Sequence, residues 1–413
     1  MELYIYNPDI ELQGVIDGYS SLRWRRRFFE PGEFELHAPA SAENITLLTE
    51  GNIVHRLDRL EAGIIEGIAI ATADSGGDEI TATGRMGSSM LDQRIVIPTI
   101  NFSGAVEMAM HKIVSDNAIL ARPLPYLTLG ETVGLTPSCT FQATYKTVLA
   151  VCEALGKAAP LGFRIRLDVP SRKWVFECYA GVDRSAGQTE RPQVVFCSEN
   201  DNIDKPSYAH NSTGYANYAI IGGEGEGTAR TIVEVDQTGG KQRRELWIDA
   251  KDLTSKTDTE EDFTGDASTA VYTLSRTPQS ISSVTVGGEA ANYTQSGNAI
   301  TLSTVPAVGA AIVVSYSYAL TAEEYVAALT QRGLEKLAEA TRAESFSADA
   351  LNTGNYAYLT DWDLGDIVSF EKWGLRLDQR ITEVEEVDEG GVVIVTPTCG
   401  SPLPETLDLG DDT

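Results

Sequence analysis

The stretch Leu22-Arg23-Trp24-Arg25-Arg26-Arg27-Phe28-Phe29-Glu30-Pro31-Gly32-Glu33-Phe34-Glu35-Leu36-His37 decides the fold class. Leu22, Trp24 and Phe28 share one parity, and Arg23, Arg25 and Arg27 share the other. A period of two is what a β-strand shows when one face is buried and the other is wet. Pro31-Gly32 turns the chain, and Glu33 to His37 resumes the alternation. Ile64 to Ile70 and Glu79 to Gly84 read as further strands. Several short strands in succession over residues 1–100 predict a β-barrel or sandwich.

Outward from this region the period changes. Val106, Ala109, Met110, Ile113 and Val114 fall on one helical stripe, with Ser103 as the expected N-cap. A second helix is predicted from Tyr145 to Leu155, closed by Gly156. Gly162 to Leu167 and Lys173 to Tyr179 alternate as strands, which makes 101–205 an α+β segment whose end is a candidate to return to the first β region. Strand signals resume at Tyr215 to Ile221, Thr231 to Val235 and Glu245 to Ile248. The polar stretch 254–268 reads as a linker. After it, 262–319 reads as an inserted small β-sandwich, with β-favouring runs at Val271–Leu274, Ser283–Val286, Ile300–Leu302 and Ile312–Tyr318. Thr321-Ala322-Glu323-Glu324 has the form of a capping box opening a helix. Residues 206–255 and 320–402 are expected to form a second, discontinuous β region with one helix, and 403–413 an acidic tail.

Composition narrows the function. With 32 basic and 60 acidic residues the chain carries a formal charge of −28, which argues against binding nucleic acid through phosphate contacts. The five cysteines are scattered without a C-x-x-C pair, so neither a disulfide framework nor a zinc site is signalled. The four histidines have no ligand spacing, and no nucleophile elbow or Walker loop occurs. Gly222 to Gly227 superficially has the glycines of a dinucleotide loop, but Glu224 and Glu226 would oppose a pyrophosphate, and strand-like sequence follows. No catalytic, metal or cofactor residue is therefore expected, and the chain reads as a non-enzyme. No apolar run reaches the roughly 18 residues that span a bilayer. The N-terminus lacks the basic and apolar regions of a secretion signal, from which synthesis in a reducing cytosol, with any later extracellular life reached without the secretory route, is the expectation. The one dense basic run, Arg23 to Arg27, has three readings: a strand face solvated or paired within the fold, ion pairs across a subunit boundary through Arg23, Arg25 and Arg27, or a short nucleic-acid footprint.

Four groups of phrases resemble the tail-tip hub family of long-tailed, non-contractile phages, and more distantly the central baseplate hub of contractile tails. The first runs from Tyr6-Asn7-Pro8 through Gly14-Val15-Ile16-Asp17 and Trp24 to Gly32-Glu33-Phe34-Glu35-Leu36-His37-Ala38-Pro39, with Gly63-Ile64-Ile65-Glu66 and Gly84-Arg85 following. The second is Gly162-Phe163-Arg164 and Tyr179-Ala180-Gly181-Val182-Asp183-Arg184. The third is Gly222 to Gly227 with Arg230, then Arg243 to Leu253. The last is Gly333 to Leu337, Tyr358 to Leu364, Gly365-Asp366-Ile367-Val368 and Arg380-Ile381-Thr382. The insert at 262–319 is the departure from the family frame.

The resemblance implies a mainly β, α+β protein with two tube-like β-barrel domains. It implies a homotrimeric ring at the virion tail tip, assembled in the host bacterial cytoplasm, that continues the tail tube and lets DNA pass without binding it. Its expected partners are a distal tail ring, a tape measure, and tail fibres or receptor binders. Two other functions compete: a peripheral receptor-binding protein whose insert grasps a cell-wall saccharide, with Tyr293, Tyr316 and Tyr318 as stacking candidates, and a tail-associated cell-wall hydrolase.

Overall fold

A computed structural model describes residues 1–72, 76–340, 343–351 and 355–400; the acidic tail expected at 403–413 lies outside the described residues. The predicted alternation builds β1 (Leu3–Tyr6), β2 (Leu12–Ile16), β3 (Ser21–Arg27) and β4 (Glu33–Pro39), then a short helix α1 (Ala42–Leu47), β5 (Ile53–His55), β6 (Ala62–Thr72) and β7 (Asp78–Met86). Leu22, Trp24, Phe34, Leu36, Ile80 and Ala82 point inward and join Leu3, Ile5 and Val54 in one core.

The α+β segment holds β8 (Ile100–Ala105), α2 (Val106–Val114), β9 (Leu127–Leu129), β10 (Ser138–Ala143), α3 (Val148–Ala158), β11 (Gly162–Asp168) and β12 (Lys173–Tyr179). The stripe read from α2 is buried in full, but Ser103 does not cap it. Ser103 lies in β8 opposite Thr140 of β10, and the Val106 N–H donates instead to the Pro137 carbonyl at 2.8 Å. Strand pairing has satisfied the backbone that a cap would have served. In α3 the cap is Thr147, which accepts from the Ala150 N–H at 3.1 Å, and the helix continues through Gly156. A Cβ there would stand 2.7 Å from the Leu161 carbonyl oxygen, so Gly156 serves close approach rather than termination.

β13 (Val195–Cys197) and β14 (Ile203–Asn211) follow. They pair with strands near the C-terminus, not with the first β region as anticipated for the end of 101–205. β15 (Tyr218–Gly222), β16 (Ile232–Asp236) and β17 (Glu245–Asp249) form a three-stranded sheet. The insert comprises β18 (Lys256–Thr264), β19 (Val271–Thr273), β20 (Pro278–Val286), β21 (Glu289–Ala290), β22 (Tyr293–Ser296), β23 (Ala299–Leu302) and β24 (Ala311–Ala319) in two sheets around a core of its own. The stretch 254–268, read as a linker, is largely β18, paired along its length with β24. Thr257 and Phe263 share its inward parity, and polar residues between them hide the alternation from a hydropathy reading. Then come α4 (Ala322–Glu339), opened by the predicted capping box between Thr321 and Glu324, and β25 (Ala343–Ala350), β26 (Ile367–Lys372), β27 (Leu375–Glu389) and β28 (Val392–Gly400). α4 packs on β15 to β17 through Tyr325, Leu329 and Leu337.

The two β-rich regions are not separate barrels in this chain. β3 pairs with β27, fusing them into one 13-stranded sheet that contains the path β14-β25-β28-β27-β3-β4-β7-β6-β5-β1-β2. Among the described residues no sheet closes on itself.

Candidate assembly surface

The fused sheet has one face in the cores and one outside them. Register assigns the outer face: Arg23 stands opposite Glu35, Arg25 opposite Glu33 on one side and Glu385 on the other, and Arg27 opposite Glu383. Arg23 Nη2 lies 3.0 Å from Glu35, and Arg25 Nη1 2.8 Å from Glu33. Arg25 also reaches Glu385 at 2.5 Å and Glu383 at 3.5 Å, while Arg27 reaches Glu383 at 2.9 Å and Glu33 at 3.2 Å. The ladder ends at His37, whose ring nitrogens each lie 2.9 Å from a carboxylate, Glu35 and Glu79. The hydrogen bond to Glu35, helped by Glu79, raises the His37 pKa against a partial burial that would lower it. Each of these three arginines therefore has a carboxylate partner within the chain, although the buried Arg23 Nε is left without a hydrogen bond. Partly exposed pairs of this kind contribute at most about 1 kcal/mol each, so their main effect is to fix register across the seam.

The same face continues with Thr81 on β7, Thr396 and Thr398 on β28, Ser345, Ser347 and Asp349 on β25, and Ser207 and Ala209 on β14. Over this polar strip the six carboxylates of Glu33, Glu35, Glu79, Asp349, Glu383 and Glu385 outnumber the four guanidinium groups of Arg23, Arg25, Arg27 and Arg85.

On the opposite side of β3 sits a group that the sequence reading missed. Arg26 is 3% exposed and donates from Nε and Nη2 to Glu61 at 3.2 Å, and from Nη1 to Asp363 at 2.7 Å and the Tyr358 hydroxyl at 2.9 Å. Burial alone would lower its pKa, but Glu61, Tyr358 and Asp363 together hold it well above the ordinary arginine value. Burial likewise opposes the charge on Glu61, and Arg26 and Arg164 overcome it, leaving that carboxyl below its usual range. Alongside, Glu386 forms an ion pair with Arg56 at 3.0 Å and accepts from Arg59 Nε at 2.8 Å. Tyr19 donates to Asp388 at 2.5 Å. The cluster bolts the first β region to the second. Its signal was parity: within the basic run only Arg26 shares the inward phase of Trp24 and Phe28.

The three tyrosines proposed for stacking lie on the insert's core. Tyr316 is 1% exposed and its hydroxyl donates to Glu261, so it has no surface to offer a ligand. Its ring centroid is 6.2 Å from that of Tyr318, over which the Arg276 guanidinium sits at 5.3 Å. Tyr293 and Tyr318 are partly buried against the same core.

Among the described residues no group of three or more His, Cys, Asp or Glu side chains is arranged to hold a metal ion. All five cysteines are free and buried. Burial pushes the Cys139 thiol up to about 12 and raises those of Cys152, Cys178 and Cys399, which keeps them protonated and unreactive. No helix among the described residues is long and apolar enough to cross a membrane.

A family model described as Siphovirus ReqiPepy6 Gp37-like protein matches residues 2–401. The fold is similar to that of the 43 kDa tail protein of prophage MuSo2 from Shewanella oneidensis, with a TM-score of 0.52 and 10% identity over 97% of this chain and 99% of that one. It is equally similar to the tail protein from Neisseria meningitidis MC58, with a TM-score of 0.52 and 10% identity over 97% and 96% of the two chains. Among curated proteins none matches the sequence.

Proposed function

The chain belongs to the Siphovirus ReqiPepy6 Gp37-like family and has a phage tail-protein fold, and from that premise we propose that it is the hub of the tail tip, a closed ring of three copies that continues the tube and passes DNA. The observation that carries this reading is the continuous outer face of the fused sheet. It is mainly polar across six strands from β25 to β7, interrupted by Val387 and Ile394, and acidic groups predominate on it. Lining a channel, such a face stays hydrated and repels a polyanion, so DNA slides without adhering. Three copies at −28 each carry −84, which acts in the same sense. The arginine ladder belongs to that channel face, where internal pairing keeps its cations from holding phosphate. In this reading the two β regions of each copy are pseudo-equivalent, giving six tube-like units around the axis. The neighbours on the axis are a distal tail ring above and the tape measure, with fibres or receptor binders at the periphery.

The role is structural, and the residues that perform it are those of the sheet rather than a catalytic centre. Electron microscopy of the assembled tail tests it. Threefold density for this chain on the tail axis, around an open lumen, is the expected result. A peripheral position, or one copy per particle, refutes the ring.

A further inference from the structure

In the α+β segment, 94–97, 113–123 and 145–147 are fastened into one knot at the start of α3, with the buried Asn117 at its centre. Asn117 Oδ1 accepts from the Ile97 N–H at 3.0 Å and from Arg122 Nη2 at 3.1 Å, and its Nδ2 donates to the Ile113 carbonyl at 3.0 Å. Arg122 Nη2 also donates to the Ile95 carbonyl. Arg94 closes the knot from the other side: Nε reaches the Arg122 carbonyl at 2.7 Å, and Nη2 the Pro123 carbonyl at 3.0 Å. The third segment joins through the backbone, where the Val96 N–H donates to the Lys146 carbonyl at 2.8 Å and the Tyr145 N–H to the Val96 carbonyl at 3.0 Å.

The charge at this knot is unlike that of the rest of the chain. Most arginines are ion-paired to a carboxylate, as on the β3 seam and around Glu386 and Glu177. Every hydrogen bond of Arg94 and Arg122 ends instead on a carbonyl or amide oxygen, and among the described residues neither faces a carboxylate. The nearby Asp116 is taken by Lys112 at 2.7 Å. Arg122 Nε and Nη1 make no hydrogen bond among the described residues. Two guanidinium groups are thus held in place by backbone oxygens, with donors left over, in a chain that has 60 acidic residues to pair them.

Apolar side chains leave the same knot. Ile97, Leu120 and Tyr145 are 47%, 72% and 75% exposed. Tyr145 also sits at φ 55°, a left-handed conformation that its Cβ disfavours, and its hydroxyl has no partner among the described residues. Strain that holds a side chain out in solvent contributes nothing to the fold, and such outliers point to a surface whose geometry is used by something else. Arginine and tyrosine beside exposed aliphatic groups are the composition of a protein interface.

We propose that Arg94, Ile97, Leu120, Arg122 and Tyr145 form a docking surface for an acidic segment of another tail protein, which offers a carboxylate to Arg122 Nε and Nη1 and an apolar side chain to Ile97, Leu120 and Tyr145. Charge complementarity selects the partner: two cations without an acid accept an anion, and the arginine fork suits a carboxylate. A nucleic-acid backbone fits less well, because it has nothing apolar to set against the three exposed side chains and is repelled over distance by the −28 of the whole chain. That the partner is a tail protein rests on the hub reading; the chemistry of the surface does not.

Photoreactive benzoylphenylalanine replaces Tyr145 in the full chain, and purified assembled tails are irradiated. The expected product joins this chain to a different tail polypeptide, through a peptide in which Asp and Glu outnumber Lys and Arg around the joined position. Arg122→Glu in the same chain is expected to lower the yield about tenfold or more, the loss that like charges cause across an interface. Because Arg122 also ties the knot, Leu120→Asp, at an exposed position, carries the same expectation where Arg122→Glu does not fold. A crosslink to another copy of this chain, a joined peptide without an acidic excess, no crosslink, or a yield that neither variant lowers overturns the proposal. Any of these with threefold density on the tail axis leaves the hub standing, whereas a peripheral position with an acid-rich crosslink refutes the hub and keeps this surface.

Discussion

Replacing Arg26 by methionine keeps most of the side-chain volume and removes the charge that the inner side of the β3 seam is built around. Glu61, 6% exposed, loses both hydrogen bonds from the guanidinium, and its Oε2 has no partner to begin with. Arg164 remains as a source of favourable field, and Asp363, whose side chain is 40% exposed, rehydrates. The loss is therefore that of one partner of a buried pair, about 3–5 kcal/mol. The sign of the pH dependence follows. In the native protein the Glu61 pKa is depressed, so its contribution is present above the unfolded carboxylate value and is lost as pH falls through the folded one. In Arg26→Met the unpaired carboxyl is raised instead, and the variant regains stability as pH falls from 7.5 to 5. Urea midpoints followed by tryptophan fluorescence at both pH values measure this, since Trp24 and Trp362 are fully buried beside the seam. Arg26→Met with Glu61→Gln should recover more than half of the loss, because a neutral amide is cheaper to bury than an unpaired charge. A loss below about 1 kcal/mol in the single variant, or a double variant no better than it, refutes the account.

Three further outcomes follow from the packing. Glu153, in a cleft between α3 and α4 lined also by Lys146, Lys157, Arg332 and Glu335, has its pKa pushed up to about 7, first by burial and then by Glu30. Its ionisation therefore opposes folding as pH rises from the unfolded carboxylate value to about 7. Glu153→Gln should raise stability by about 1–2 kcal/mol at pH 8, discounted for residual solvent, and by little at pH 5; equal midpoints at both pH values would show the carboxyl to be unstrained. Removing 256–319 should leave a soluble protein that assembles as the full chain does, because Lys256 and Ala319 are paired and the Leu320 N–H already donates to the Ser255 carbonyl at 2.8 Å, so a few Gly and Ser residues close the gap. Light scattering and electron microscopy read the result, and aggregation of that protein would mean that the sandwich supports the sheet. Removal of 262–319 alone should aggregate, since it strands most of β18 without β24.

How much of this was legible depends on whether a feature is local. Alternation in 22–28 and 33–37 announced two strands and their buried faces, and Thr321 with Glu324 announced a helix start, because each is decided within a few residues. β18 escaped because its inward positions include Thr257 and Thr259, which read as polar although their branched side chains suit a strand. Arg26 escaped because charge was read before parity. The fusion of the two β regions was beyond reach for a different reason: β3 and β27 are some 360 residues apart, and a period of two tells which face is buried but not which strand lies alongside. That one pairing has consequences in both directions from the seam. Had β3 and β27 stayed edges, each β region could have closed on itself and the polar faces would have been two separate patches. Joined, they commit the arginine ladder to the middle of a single face. The chain is thereby left with its cations paired at the centre of the face, and among the described residues the path of the sheet runs outward from that seam to β14 on one side and through β6 to β2 on the other.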